Sequence, residues 1–90
     1  MIVNLYAVYD RASGVYDGPF PGKSDGHIVR GFSDQVKNKD SEIGKHPDDY
    51  TLFKVGTWND GTGEVVDTVT EKLCNGVDVL ALIEQENLNA

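Results

Sequence analysis

Apolar side chains dominate both sides of the opening stretch, "MIVNLYAVYD". Successive side chains of a strand point to opposite faces. Ile2, Tyr6 and Val8 would therefore share one face, and Val3, Leu5, Ala7 and Tyr9 the other. Both sets are mainly apolar and rich in β-branched or aromatic residues, which predicts a central strand over Ile2–Tyr9 covered on both sides. "DRASG" follows as turn chemistry, since Asp and Ser bond to nearby backbone and Gly14 accepts positive φ. "VYDGPFPGKSDG" adds two prolines, which lack an N–H and bias the preceding residue away from helix. This segment reads as extended or looped chain, with Phe20 as its apolar anchor.

The period then changes. Ile28, Val29, Phe32 and Val36 recur at helical spacing and form one apolar stripe, with Arg30, Asp34 and Lys37 off it. Ser24 can cap free N–H groups and Asp25 suits the positive end of the helix dipole, so the spacing predicts a helix over 24–38. "NKDSEIGKHPDD" is polar and reads as a mobile loop, with Pro47-Asp48-Asp49 able to start a single helical turn. "YTLFKVGTW" and "EVVDTVT" alternate on either side of "NDGTG", the pattern of an antiparallel hairpin. At the C-terminus Val79, Leu80 and Ile83 favour a helix over a rival short strand through Val77–Leu82, with "ENLNA" expected to fray.

These elements predict an α+β fold in a single domain over 1–90. A small antiparallel sheet of three or four strands carries one main helix, Ser24–Asn38, on one face, with a short C-terminal helix. A short sheet leaves unpaired backbone groups at its edges, so pairing between copies predicts a homo-oligomer, a dimer. One phrase also occurs twice, as Val8-Tyr9-Asp10 and again as Val15-Tyr16-Asp17. The turn residues between the copies favour two arms of one irregular hairpin over a duplicated ligand site.

Charge changes the functional picture. The chain carries a net charge of −7, unevenly spread. Residues 11–45 hold six basic and five acidic side chains, whereas 46–90 hold two basic and nine acidic. The overall field repels nucleic acid, and only a local patch in the first half could hold one. Such a patch would use Arg11, Lys23, Arg30 and Lys37, with Lys39 and Lys45 nearby, and Tyr9 or another aromatic (Tyr6, Tyr16, Trp58) stacking on bases. The interleaved Asp34, Asp40 and Glu42 favour an ordinary solvated helix face instead.

Catalytic and cofactor signatures are missing. No phosphate-cradling glycine loop or nucleophile-elbow motif occurs. His27 and His46 lie in polar surroundings and read as surface histidines, and no zinc ligand set assembles around them. Asp48-Asp49, with Asp60 or Asp67, could bind a divalent cation, but turn and helix-start roles explain them better. The lone Cys74 reads as a small buried hydrophobe and points to a reducing compartment. A small hydrolase using Asp48, Asp49 or Cys74 is the remaining enzymatic reading. No stretch approaches the ~18 apolar residues of a membrane span, and no secretory leader is evident.

The order of the features carries a resemblance. A start of the form "MIVNLYAVYDRA" contains Tyr9-Asp10-Arg11 and leads into Gly18-Pro19-Phe20. "HIVRGF" supplies Arg30 and Phe32, and Asp49-Tyr50, Leu52-Phe53-Lys54-Val55-Gly56, Asp60 and Gly63-Glu64 follow. Over about residues 1–67 this resembles the small nonstructural protein of gokushoviruses, single-stranded DNA microvirus phages. The resemblance implies a noncatalytic protein, made in the cytoplasm of the infected bacterial host and absent from the mature particle; the residues themselves predict no cofactor and no metal. It implies a likeness to the microvirus protein that switches genome replication toward single-stranded DNA synthesis and packaging. The implied partners are viral replication or capsid proteins, or single-stranded DNA, with no membrane. Taken together with the basic patch read from the charge pattern, the candidate DNA or partner contacts are Tyr9, Arg11, Lys23, Arg30 and Lys37.

Overall fold

In the computed structural model, which describes residues 1–89, strand β1 (Ile2–Asp10) turns back into β2 (Val15–Gly22). Asp10 builds the turn. Its Oδ1 accepts the Ala12 N–H at 3.0 Å, and its carbonyl accepts the Gly14 N–H at 2.8 Å. Gly14 stands at φ 75°, where a side chain would be strained. The doubled phrase supplies the two arms of this hairpin, with Tyr9 opposite Tyr16, Val8 opposite Asp17 and Asp10 opposite Val15.

β2 is a full strand of the sheet despite its two prolines. It lies at an edge, where an outward N–H is not needed. The register break between Tyr6 and Val8 of β1 absorbs one extra residue of β2 at Gly18-Pro19. Strand β3 (Tyr50–Asn59) pairs with the other side of β1, and β4 (Glu64–Asn75) pairs with β3, giving an all-antiparallel order β2-β1-β3-β4. β1 is central, as its composition predicts. β4 continues five residues past the alternating "EVVDTVT".

Helix α1 spans Asp25–Lys37, where the apolar stripe places it. Ser24 Oγ accepts the His27 N–H at 3.2 Å, and the Asn38 N–H closes the other end on the Asp34 and Gln35 carbonyls. The polar stretch after it forms short elements where the sequence reads as a loop. Ser41 Oγ accepts the Gly44 N–H at 2.9 Å and lies 2.8 Å from the Gln35 carbonyl, seating the single turn α2 (Glu42–Lys45) against the end of α1. Pro47–Asp49 then form a 3-10 turn leading into β3. Helix α3 (Gly76–Asn89) starts where Asn75 Oδ1 accepts the Asp78 N–H at 2.8 Å. Gly76 lies against the Pro47 carbonyl so closely that a Cβ would collide with it. The residues of "ENLNA" expected to fray are helical through Asn89, and Ala90 lies outside the described residues.

The helices share one side of the sheet. Tyr6 and Val36 are fully buried, Leu52 is 1% exposed, and Phe32 and Val79 complete the core. Val8, Phe20, Ile28, Val29 and Tyr50 pack around it. The strand register puts Tyr6, Val8, Phe20, Tyr50 and Leu52 on one face. Each fully buried aliphatic or aromatic side chain contributes about 1.5–3 kcal/mol, so this small cluster dominates stability. On the opposite face Val3, Leu5, Ala7 and Tyr9 align with Trp58, Gly56, Phe53 and Thr51. No helix covers them among the described residues, which corrects the expectation of a strand covered on both sides. Leu5 and Ala7 are nevertheless buried, at 8% and 3% exposed.

Candidate interaction surfaces

The five residues proposed from the sequence fall in three places. Tyr9 points to the open face. Its ring centroid lies 4.8 Å from that of Tyr16, which in turn meets Phe53 edge-on at 5.5 Å. Offset and edge-on aromatic pairs of this kind add roughly 0.5–1.5 kcal/mol beyond simple burial. Lys23 follows β2 immediately before the α1 cap, and Arg30 and Lys37 stand exposed on α1, seven residues apart and so on one helix face. These three lie with the helix layer, so the structure does not bring Tyr9 together with them.

Arg11 occupies the β1–β2 turn and is engaged elsewhere. Its Nη2 lies 2.9 Å from Asp49 Oδ1 and 3.5 Å from Asp48 Oδ2, while Nε donates to Asp49 Oδ1 at 3.3 Å. The backbone repeats the link, with the Arg11 N–H donating to the Asp49 carbonyl at 2.8 Å. The Asp49 hydrogen bond and charge raise the Arg11 pKa further, with Asp48 adding to the effect. Asp48 and Asp49 therefore clasp the turn. Asp60 is bound to the Met1 ammonium at 2.8 Å, and Asp67 accepts the Thr57 hydroxyl at 3.3 Å. No group of three metal-ligating side chains gathers among the described residues.

A polar node ties the helix layer to the sheet. The Tyr6 hydroxyl donates to Asp25 Oδ1 at 2.7 Å and accepts from Asn4 Nδ2 at 3.2 Å. Lys54 Nζ lies 3.9 Å from the same carboxylate oxygen. Burial raises the Tyr6 pKa above its ordinary 10.0, helped by the bond to Asp25 and opposed by Asn4. The node anchors the first turn of α1 to β1. Cys74 is half-buried, and desolvation, with the charge of Asp78, raises its pKa against the pull of Lys72. Its thiolate is disfavoured, the opposite of what a nucleophile needs. His27 and His46 are exposed.

The most continuous feature is the open sheet face. Tyr9, Tyr16 and Phe53 form a ridge at one end, and Trp58 stands opposite Val3 toward the other, with Val65 beside it. Between them a hollow of about 240 Å³ opens over Ala7, walled by Tyr16, Pro19, Val55 and Thr70. Among described strand residues paired in register, Lys72, opposite Phe53, is the single charged residue on this side. The sequence shows the alternation that builds this face, in Thr51, Phe53 and Val55 as in β1. It gives no sign that the face is left bare.

No helix of the described chain is long and apolar enough to cross a membrane. No curated protein and no solved structure matches the chain. The family model described as phage ORF5 protein matches residues 3–79, from the start of β1 into the first turn of α3. That span includes all of the sheet but Ile2, together with α1 and the Arg11 clasp, and reaches past residue 67, where the resemblance seen in the sequence ends. The chain therefore belongs to the phage ORF5 protein family.

Proposed function

We propose that this phage protein acts without catalysis, helping to switch viral genome replication toward single-stranded DNA synthesis and packaging by binding replication or capsid proteins. The observation that carries this reading is the family match over residues 3–79, which contains the ordered residues that resemble the gokushovirus nonstructural protein. The raised Cys74 pKa and the ion pairs of Asp48 and Asp49 with Arg11 weigh against the rival hydrolase that would use these three residues. The working compartment is the cytoplasm of the infected bacterial host. Affinity capture of the tagged chain from infected cells should co-purify the replication initiator or the capsid precursor. Recovery of neither of these, and of no viral DNA, would overturn the proposal.

A second reading is direct binding of single-stranded DNA through Lys23, Arg30 and Lys37. It is favoured by one observation: these three cations form no ion pair among the described residues, whereas Arg11 is held by two carboxylates. Phosphate contacts predict an affinity that falls steeply with salt. A labelled oligonucleotide that shows no shift at low salt would end this reading.

A further inference from the structure

We infer that the open face of the sheet binds a second copy of this chain, face to face, to make a two-layer sandwich of sheets. The first argument is surface area. The protein exposes 5820 Å² at 9.8 kDa, about 600 Å² more than the roughly 5,200 Å² of a monomer of that mass. A standard interface removes ~800 Å² from each partner, so the excess is close to one side of a stable dimer. The shape agrees, with a radius of gyration of 14.1 Å against about 12 Å for a compact chain of this length. Part of the excess is the β3–β4 hairpin, where Val65 is 56% exposed opposite Trp58 on the open face.

The second argument is how little else is available. Of the seven buried hydrophobic residues, Leu5 and Ala7 already belong to the open face, leaving five in the core between helices and sheet. Both sheet edges are poor templates for another strand. β2 carries Pro19 and Pro21, and β4 meets β3 with three breaks of register. Prolines and bulges are devices that prevent edge pairing. The dimer expected from edge pairing is therefore better served by the face.

The third argument selects the occupant. A chain of net charge −7 repels its own copies, and the open face is where the strand register places no carboxylate. Apolar aromatics with few charges are the composition of an interface core. A single-stranded nucleic acid would need cations flanking the rings to follow its backbone, and only Lys72 is there. Ridge and hollow lie side by side, sharing Tyr16. A two-fold axis through the face sets the ridge of each copy toward the hollow of the other, the self-complementarity that an isologous interface requires.

Light scattering over a dilution series should give twice the 9.8 kDa chain mass. Tyr16→Glu buries an unpaired carboxylate in each half and should weaken association at least ~100-fold, with circular dichroism confirming the fold. Val65→Lys, on the projecting hairpin, should do the same and decides the matter if Tyr16→Glu does not fold. Leu82→Lys, on the exposed side of α3, should leave the mass unchanged. A wild-type monomer at every concentration would overturn the inference, as would a dimer that survives both face variants. Binding of an oligonucleotide by a wild-type monomer, lost in Tyr16→Glu, would give the face to nucleic acid instead. None of these outcomes depends on the replication role, which the capture from infected cells tests separately.

Discussion

Leu52 and Phe53 are neighbours on β3 and belong to opposite sides of the molecule. Leu52 sits under the helices at 1% exposure beside Tyr6, Val36 and Phe32. Phe53 is half-buried on the open side, touching Tyr16 and facing Ala7 across the strand pair. Both sides are built from the same kinds of residue. The contrast shows that alternation fixes what a face is made of, whereas its cover depends on where the remaining elements run. All three helices lead to one side, and the aromatic side is left to its own rings.

The largest effect should separate these two residues. Leu52→Ala is expected to cost about 2–5 kcal/mol, through lost burial and the cavity left in a core that cannot collapse. Phe53→Ala should cost clearly less in dilute solution, and its cost should grow with protein concentration if the open face joins two copies. Urea denaturation at two concentrations measures both. Equal, concentration-independent losses would erase the distinction between the faces.

A smaller effect should come from the node that fastens the helices to their side. Tyr6→Phe removes the bond to Asp25 and is expected to cost about 1 kcal/mol. The pH dependence has a definite sign. The folded protein holds the Tyr6 proton more tightly than the unfolded chain, so this contribution is complete below pH 10 and is lost as pH rises through the folded pKa. Wild type should therefore lose more stability than Tyr6→Phe between pH 8 and pH 11. Parallel losses would show that the hydroxyl is not stabilised as a donor. The smallest change is expected from Arg11→Ala, since exposed ion pairs contribute little and are screened by salt. It should loosen the β1–β2 turn, visible as faster amide exchange at Arg11–Gly14, with little change in the denaturation midpoint and less still in high salt.

Much of the covered side was legible in the sequence. Ser24, the stripe through Val36 and the Asn/Asp/Gly hairpin loop are local signals, each acting within a few residues. β2 was harder, because Pro19 and Pro21 mark looped chain unless the strand is known to be an edge. The ends of β4 and α3 escaped for related reasons. Three register breaks blur the alternation of β4, and Asn75 caps a helix whose first residue is a glycine. The α2 turn depends on Ser41 reaching back to Gln35 and Asn38, a tertiary contact that reads locally as a polar loop. For the candidate surfaces, Tyr9 and Arg11 are two apart in sequence, and nothing local separates them. Folding sends Tyr9 to the open face and Arg11 to Asp48 and Asp49, nearly forty residues away. A pairing that distant leaves no local trace.

The doubled phrase gains a different meaning from its register. Val8-Tyr9-Asp10 and Val15-Tyr16-Asp17 run in opposite directions, so each valine stands opposite the other copy's aspartate and the tyrosines stand opposite each other. Exchanging the two triplets would leave every cross-strand pair chemically unchanged. A direct repeat along the chain has become an interchange symmetry across the hairpin, in which a one-residue slip would break all three matches at once. Of the three matches the central one carries the attraction, so the repetition places Tyr9 against Tyr16 where the aromatic ridge begins.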